Sequence, residues 1–127
     1  MAKRILLVDD EKDLAESLAF RLRASGYEVI LAGDGSEGLD KAKNEKPDLI
    51  ILDLMLPKMD GYQVCALLKA DPKYSKIPII LFSVRAQESD FKLGKEAGGD
   101  AYITKPFDSQ ALLAKIKELL QSQEHST

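Results

Sequence analysis

Leu49–Gly61 reads LIILDLMLPKMDG, and this stretch decides the fold. Four aliphatic residues, Leu49 to Leu52, run into Asp53 without a polar interruption. A run this short and apolar fits a central parallel strand buried on both faces. Asp53 stands where the strand ends. Pro57 and Gly61 then mark a loop. In open parallel sheets the chemistry sits just past the carboxyl ends of the strands. Asp53 is therefore the first candidate for an active residue.

The same alternation extends in both directions. RILLV at 4–8 is a short strand that stops at Asp9-Asp10. Leu14, Leu18 and Leu22, with Ala15 and Ala19 beside them, give one apolar stripe on a helix over 11–25. Gly26 is placed to close it. Residues 27–32 form the next strand, and Asp34 or Ser36 caps a helix running to about Glu45. After Gly61 a third helix reaches Ala70, with Val64, Leu67 and Leu68 on its apolar face. PIILF at 78–82 is the fourth strand, with Ser83 at its end. Residues 87–97 make a weaker helix, since Phe91, Leu93 and Ala97 are its few apolar residues and Gly94 lowers its intrinsic stability. Ala101–Thr104 is a fifth strand, followed by Lys105-Pro106. Asp108 or Ser109 starts a last helix lined by Leu112, Leu113, Ile116, Leu119 and Leu120. Residues 1–122 read as one domain and the polar residues 123–127 as a disordered tail.

Five strands alternating with five helices specify an α/β domain. Parallel crossovers of one hand place helices on both faces of the sheet. The expected fold is a doubly wound five-stranded parallel sheet of the flavodoxin-like type, order 2-1-3-4-5, with five flanking helices.

Composition narrows the function. The 127 residues suit one domain with a useful core. A net charge of -3 gives no reason to propose nucleic acid as a partner. No apolar run approaches the roughly 18 residues of a membrane span. Asp9, Asp10 and Glu11 interrupt the N-terminal apolar segment too early for a signal peptide. Cys65 is the only cysteine, which excludes disulfide scaffolds and cysteine-rich metal sites. A cytoplasmic protein is the simple expectation.

The strand ends carry the polar residues. Strand one ends in Asp9 and Asp10, strand three in Asp53 and strand four in Ser83, while Lys105 follows strand five. In this topology strands one, three and four are neighbours, so their ends converge on one crevice. Three carboxylates held together repel one another, and ionising them there is costly without a cation. A hard cation with oxygen ligands fits: Mg²⁺ first, with Mn²⁺ a second candidate. Mg²⁺ and Lys105 would offset charge on an incoming phosphoryl group while Asp53 attacks in line. A single acidic residue at a strand end is commonly a helix cap or a solvated loop residue; it is the set of five that points to chemistry.

VDDE at 8–11, LDLMLPKMDG at 52–61, Ser83 and KPF at 105–107 together resemble the receiver domain of two-component response regulators, over about Arg4 to Leu120. The resemblance implies that Asp53 accepts a phosphoryl group from a histidine kinase or histidine phosphotransfer protein. It implies that Asp10 ligates Mg²⁺ directly and Asp9 directly or through water, with the Met55 backbone carbonyl as a further ligand beside Asp53. Ser83 matches the hydroxyl that moves to the phosphoryl oxygen, Tyr102 the aromatic switch, and Lys105 the phosphate-binding lysine. A cis bond between Lys105 and Pro106 belongs to the same pattern. The output is expected at the surface of the fourth helix, fifth strand and last helix, toward a downstream protein or a separate output domain. A weak homodimer on phosphorylation is a further expectation. Val84 departs from the small residue usual after the Ser/Thr, and with Met55 it rims the pocket.

Two rival readings stay open at this stage. The chain could be the receiver excised from a DNA-binding regulator, although nothing basic or helix-turn-helix-like follows Leu120. A Mg²⁺-dependent aspartyl-phosphate phosphohydrolase usually places a second Asp two residues after its nucleophile; here that position is Met55, which argues for a phosphoacceptor with self-catalysed gain and loss rather than a turnover enzyme. A flavin or nucleotide module would need a phosphate-cradling loop after strand one, and DDEKD there is acidic.

Overall fold

In the computed structural model, residues 2–84 and 87–125 are described, with side chains as far as residue 122. The elements in chain order are β1 (Arg4–Val8), α1 (Lys12–Ala24), β2 (Glu28–Ala32), α2 (Gly35–Glu45), β3 (Leu49–Asp53), α3 (Gly61–Ala70), β4 (Ile79–Ser83), α4 (Glu88–Glu96), β5 (Ala101–Thr104) and α5 (Ser109–His125). The strands form one parallel sheet in the order β2-β1-β3-β4-β5. This is the flavodoxin-like α/β arrangement expected from the alternation of elements.

The period of two along each strand divides the core. Ile5, Leu7, Leu49, Ile51, Ile80 and Phe82 face α1 and α5, where they meet Leu18, Leu22, Leu112 and Ile116. Leu6, Val8, Ile50, Leu52, Ile79 and Leu81 face the other way, onto Ala42, Val64, Cys65 and Leu68. Both faces of β3 and β4 are thus covered, which is why their sequences are unbroken aliphatic runs.

Three readings of the helices need correction. Leu67 lies half exposed on α3, and Cys65 takes the inward position beside Val64 and Leu68. On α4, Leu93 faces outward and Gly94 is the buried residue. A Cβ at Gly94 would lie 2.9 Å from the Tyr102 ring and 3.1 Å from Leu81. Here glycine is a packing requirement, and α4 approaches β5 through it. The third correction is at α5, which continues past Leu120 to His125. No Gly or Pro interrupts residues 121–125, so the backbone carries on although the apolar stripe has ended. Of the tail expected at 123–127, Ser126 and Thr127 lie outside the described residues.

Two caps fix the ends nearest the sheet's carboxyl edge. The Asp34 side chain accepts from the Glu37 N–H at the start of α2. At the start of α3, Asp60 and Gln63 form a reciprocal capping box. Gly61 opens α3 against the end of β3, where a Cβ would meet the Asp53 carbonyl oxygen and lie 2.7 Å from Leu54 Cα. Only glycine lets the loop after Asp53 fold back this closely.

Candidate active site

Strand register assembles the acidic cluster. Val8 pairs with Leu52, so Asp9, one step beyond β1, stands abreast of Asp53 at the end of β3. Asp53 pairs with Phe82 on β4, and Ser83 with Thr104 on β5. Carboxylate oxygens of Asp9, Asp10 and Asp53 all lie within 4.8 Å of one another. Asp9 and Asp53 are buried; Asp10 is exposed.

The partners of these carboxylates divide the site. The Lys105 ammonium donates to Asp53 Oδ2 at 2.9 Å. It also lies 3.5 Å from Asp9 Oδ2 and 3.6 Å from Glu11 Oε1. The Met55 N–H donates to Asp53 Oδ1 at 3.0 Å. Asp9 Oδ1 accepts from the Glu11 N–H at 2.9 Å. Asp9 Oδ2, by contrast, is buried without a hydrogen bond.

Burial is the main influence on Asp9 and pushes its carboxyl up to about 6; the Glu11 N–H and Lys105 pull it down, and Asp53 and Glu11 push it up. On Lys105 burial acts downward. The hydrogen bond and charge of Asp53, then Asp9 and Glu11, outweigh it and hold the ammonium above the ordinary lysine value. One ammonium therefore faces several acids, and a buried carboxylate oxygen has no donor. The donor set is all oxygen and negatively charged. These residues fit a hard divalent cation.

The remaining residues singled out in the sequence are also gathered here. Ser83 is buried at the end of β4, and its carbonyl accepts from the Lys105 N–H at 2.8 Å. The Lys105-Pro106 bond is cis. Met55 is half exposed at the mouth of the site. Val84 is 63 % exposed. It lines a cavity of about 390 Å³ with Glu11, Leu14, Lys105 and Pro106. Tyr102 is half buried on β5, edge-on to Phe91 with ring centroids 4.7 Å apart. Burial first, then Tyr62 and Asp90, push its phenol up to about 12, while a hydrogen bond with Ser83 acts downward. Ser83 at the end of β4 thus bears on Tyr102 of the neighbouring β5. Cys65 is structural: burial lifts its thiol to about 11, and its Sγ lies 3.4 Å from the Ala97 carbonyl.

Three contributors escape a reading of the sequence alone. Glu11 belongs to the run DDEKD, yet nothing there tells which acid reaches across to Lys105. Tyr62 donates to the Asp90 carbonyl at 3.3 Å and ties α3 to α4 beside Tyr102. Phe82 reads only as strand filler, but its ring lies 4.5 Å beneath the Lys105 ammonium. None of the three has a periodic signature.

Comparison with known proteins agrees with this geometry. The chain is 46 % identical over 124 residues to the alkaline phosphatase synthesis transcriptional regulatory protein PhoP of Bacillus subtilis, covering 98 % of this chain and 51 % of PhoP. The chain spans about half the length of the curated relatives it matches. A CheY-like response regulator receiver domain protein from Methanospirillum hungatei superposes with a TM-score of 0.92 at 37 % identity, over 100 % of both chains. The receiver domain of the sensor histidine kinase PA1611 from Pseudomonas aeruginosa, solved with a magnesium ion coordinated in its active-site cleft, superposes with a TM-score of 0.88 at 29 % identity, over 95 % of this chain and 99 % of that one. Residues 5–117 match the family model of the response regulator receiver domain. With the acidic cluster at the carboxyl edge of a 2-1-3-4-5 sheet, that match makes the chain a member of the response regulator receiver family.

Proposed function

We propose that this receiver takes a phosphoryl group onto Asp53 from a phosphohistidine donor, and that the phosphorylated state is read at the face of α4, β5 and α5. The observation that carries the reading is the convergence of Asp9, Asp10, Asp53 and Lys105 from three separate segments on one crevice. Asp9, Asp10, Asp53 and the Met55 carbonyl would hold Mg²⁺. When bound, the ion supplies positive charge against the carboxylates and the phosphoryl oxygens.

The chain's own groups do the rest. The Met55 N–H and the Lys105 ammonium each hold one Asp53 oxygen, which orients the carboxylate. An Asp53 oxygen attacks phosphorus, the P–N bond to the donor imidazole breaks, and its electron pair leaves with the imidazole. Lys105 then pairs with the phosphoryl oxygens. The Ser83 hydroxyl turns toward them, which withdraws it from Tyr102 and lets the ring shift against Phe91 and Gly94. This couples the crevice to α4 as a two-state population shift. The donor is a histidine kinase or a histidine phosphotransfer protein, and the reader is a protein target or an output domain.

Incubation with acetyl phosphate and Mg²⁺, followed by intact mass, tests the reading. A gain of one phosphoryl group, absent in Asp53→Asn, supports it; no gain in the native sequence refutes it. A second reading, as the receiver part of a longer DNA-binding regulator, is favoured by the half-length coverage of PhoP and of the DNA-binding response regulator MtrA of Mycolicibacterium smegmatis. The full reading frame of the gene decides it.

A further inference from the structure

Lys105 is held from two sides. Above it stand the Asp53, Asp9 and Glu11 carboxylates at 2.9, 3.5 and 3.6 Å. Beneath it lies the Phe82 ring, with the ammonium 4.5 Å from the ring centroid. That ring is fixed: Phe82 is 1 % exposed and meets Phe107 edge-to-face, at 75° and 6.1 Å. An aromatic face carries negative potential and attracts a cation, most strongly where water is excluded. An aliphatic residue would fill the same space without that attraction.

The two supports behave differently during the reaction. The anionic support changes partner when Asp53 is phosphorylated, because the ammonium must pass from the carboxylate oxygen it now holds to the phosphoryl oxygens. During that exchange the flexible four-carbon stem has room to swing outward past Glu11, whose side chain is 64 % exposed. The ring support does not change with the state of Asp53. It also takes up no strong acceptor, so all three ammonium N–H groups stay available for oxygens.

We propose that Phe82 is a positioning residue for phosphoryl transfer, its ring holding the Lys105 ammonium over Asp53 while the charges around it change. This rests on the reading of Asp53 as phosphoacceptor and adds a residue to it. The role belongs to the ring's electron density as well as its bulk, and that sets the test.

Phe82 alone is replaced, by amber suppression, with 4-fluoro-, 3,5-difluoro- and 3,4,5-trifluorophenylalanine, which drain the ring face at nearly constant shape; Phe82→Leu completes the series. Initial rates of Mg²⁺-dependent phosphorylation by acetyl phosphate are measured, with urea midpoints to confirm folding. The Lys105 ammonium cross-peak is followed by ¹H–¹⁵N NMR in metal-free protein. Rates should fall stepwise with fluorination, by roughly three- to tenfold at the trifluorinated ring. The ammonium signal should weaken in the same order. Rates and signals that stay level across the fluorinated series overturn the proposal, whatever Phe82→Leu does. If the native protein takes up no phosphoryl group, the function reading fails separately, and the ammonium signals alone decide whether the ring holds the lysine.

Discussion

Replacing Asp9 by asparagine should make the metal-free protein more stable at pH 7. Asp9 is 3 % exposed, and its Oδ2 has no hydrogen bond. Its carboxyl titrates at about 6 in the folded protein, against 3.8 for an ordinary aspartate. At about 1.4 kcal/mol for each tenfold in proton affinity, keeping Asp9 ionised costs the folded state about 3 kcal/mol at pH 7. Asparagine is nearly isosteric and still accepts from the Glu11 N–H, so about 2–3 kcal/mol should be recovered. Urea denaturation of both proteins in chelator, from pH 4 to pH 8, measures this. The sign follows from proton counting. Between pH 3.8 and 6 the folded protein binds more protons at Asp9 than the unfolded chain does, so stability rises as pH falls through that window. The advantage of Asp9→Asn should therefore be full above pH 6 and shrink toward pH 4. Taking the difference between the two proteins cancels the titration of every other carboxylate to first order. Millimolar Mg²⁺ should reverse the ranking by stabilising the native sequence more than the variant. An advantage that is absent at pH 7, or that does not vary with pH, would refute the reasoning.

Three further outcomes are expected. Val84→Ala opens the mouth of the site beside Lys105 and should shorten the lifetime of the phosphorylated state several-fold; decay of ³²P-labelled protein measures it, and equal lifetimes would clear Val84 of any role. Gly94→Ala drives a methyl group into the Tyr102 ring, and despite the better helix propensity of alanine it should cost roughly 1 kcal/mol in urea and shift the Tyr102 ring resonances. Asp60→Ala removes the capping box that opens α3 and should cost about 1 kcal/mol in the same assay, with Mg²⁺ affinity reduced because the loop carrying Met55 is anchored there.

Much of this architecture was legible in the sequence because it depends on short-range pattern. Aliphatic runs ending in Asp9, Asp53 and Ser83 marked three neighbouring strands, and parallel crossovers then left little freedom in the order of the sheet. The crevice followed from that order, since its residues all sit at strand ends. Helix faces were less legible. Leu67 fits an apolar stripe with Val64 and Leu68 by spacing, but α3 is rotated so that Cys65 faces inward, and in α4 it is Gly94 that does. In α4 the close approach to Tyr102 and Leu81 selects the smallest residue over the most apolar one. Contacts across the sheet were illegible for a different reason. Lys105 is 23 residues beyond Phe82 in the chain, and only strand register brings the ammonium over the ring. The hydrogen bond from Tyr62 to the Asp90 carbonyl depends in turn on how α3 and α4 are placed beside each other. The division of labour between Asp9 and Asp10 also waited on the fold, because two adjacent aspartates do not reveal which is buried.

The most direct measurement locates the acyl phosphate itself. The protein is incubated with acetyl phosphate and Mg²⁺, reduced with borohydride, digested and sequenced by mass spectrometry. An aspartyl phosphate is reduced to homoserine, so homoserine at position 53, dependent on Mg²⁺, is the expected result. Homoserine at Asp9, Asp10 or another carboxylate, or none at all, would contradict the assignment of Asp53 as the phosphoacceptor.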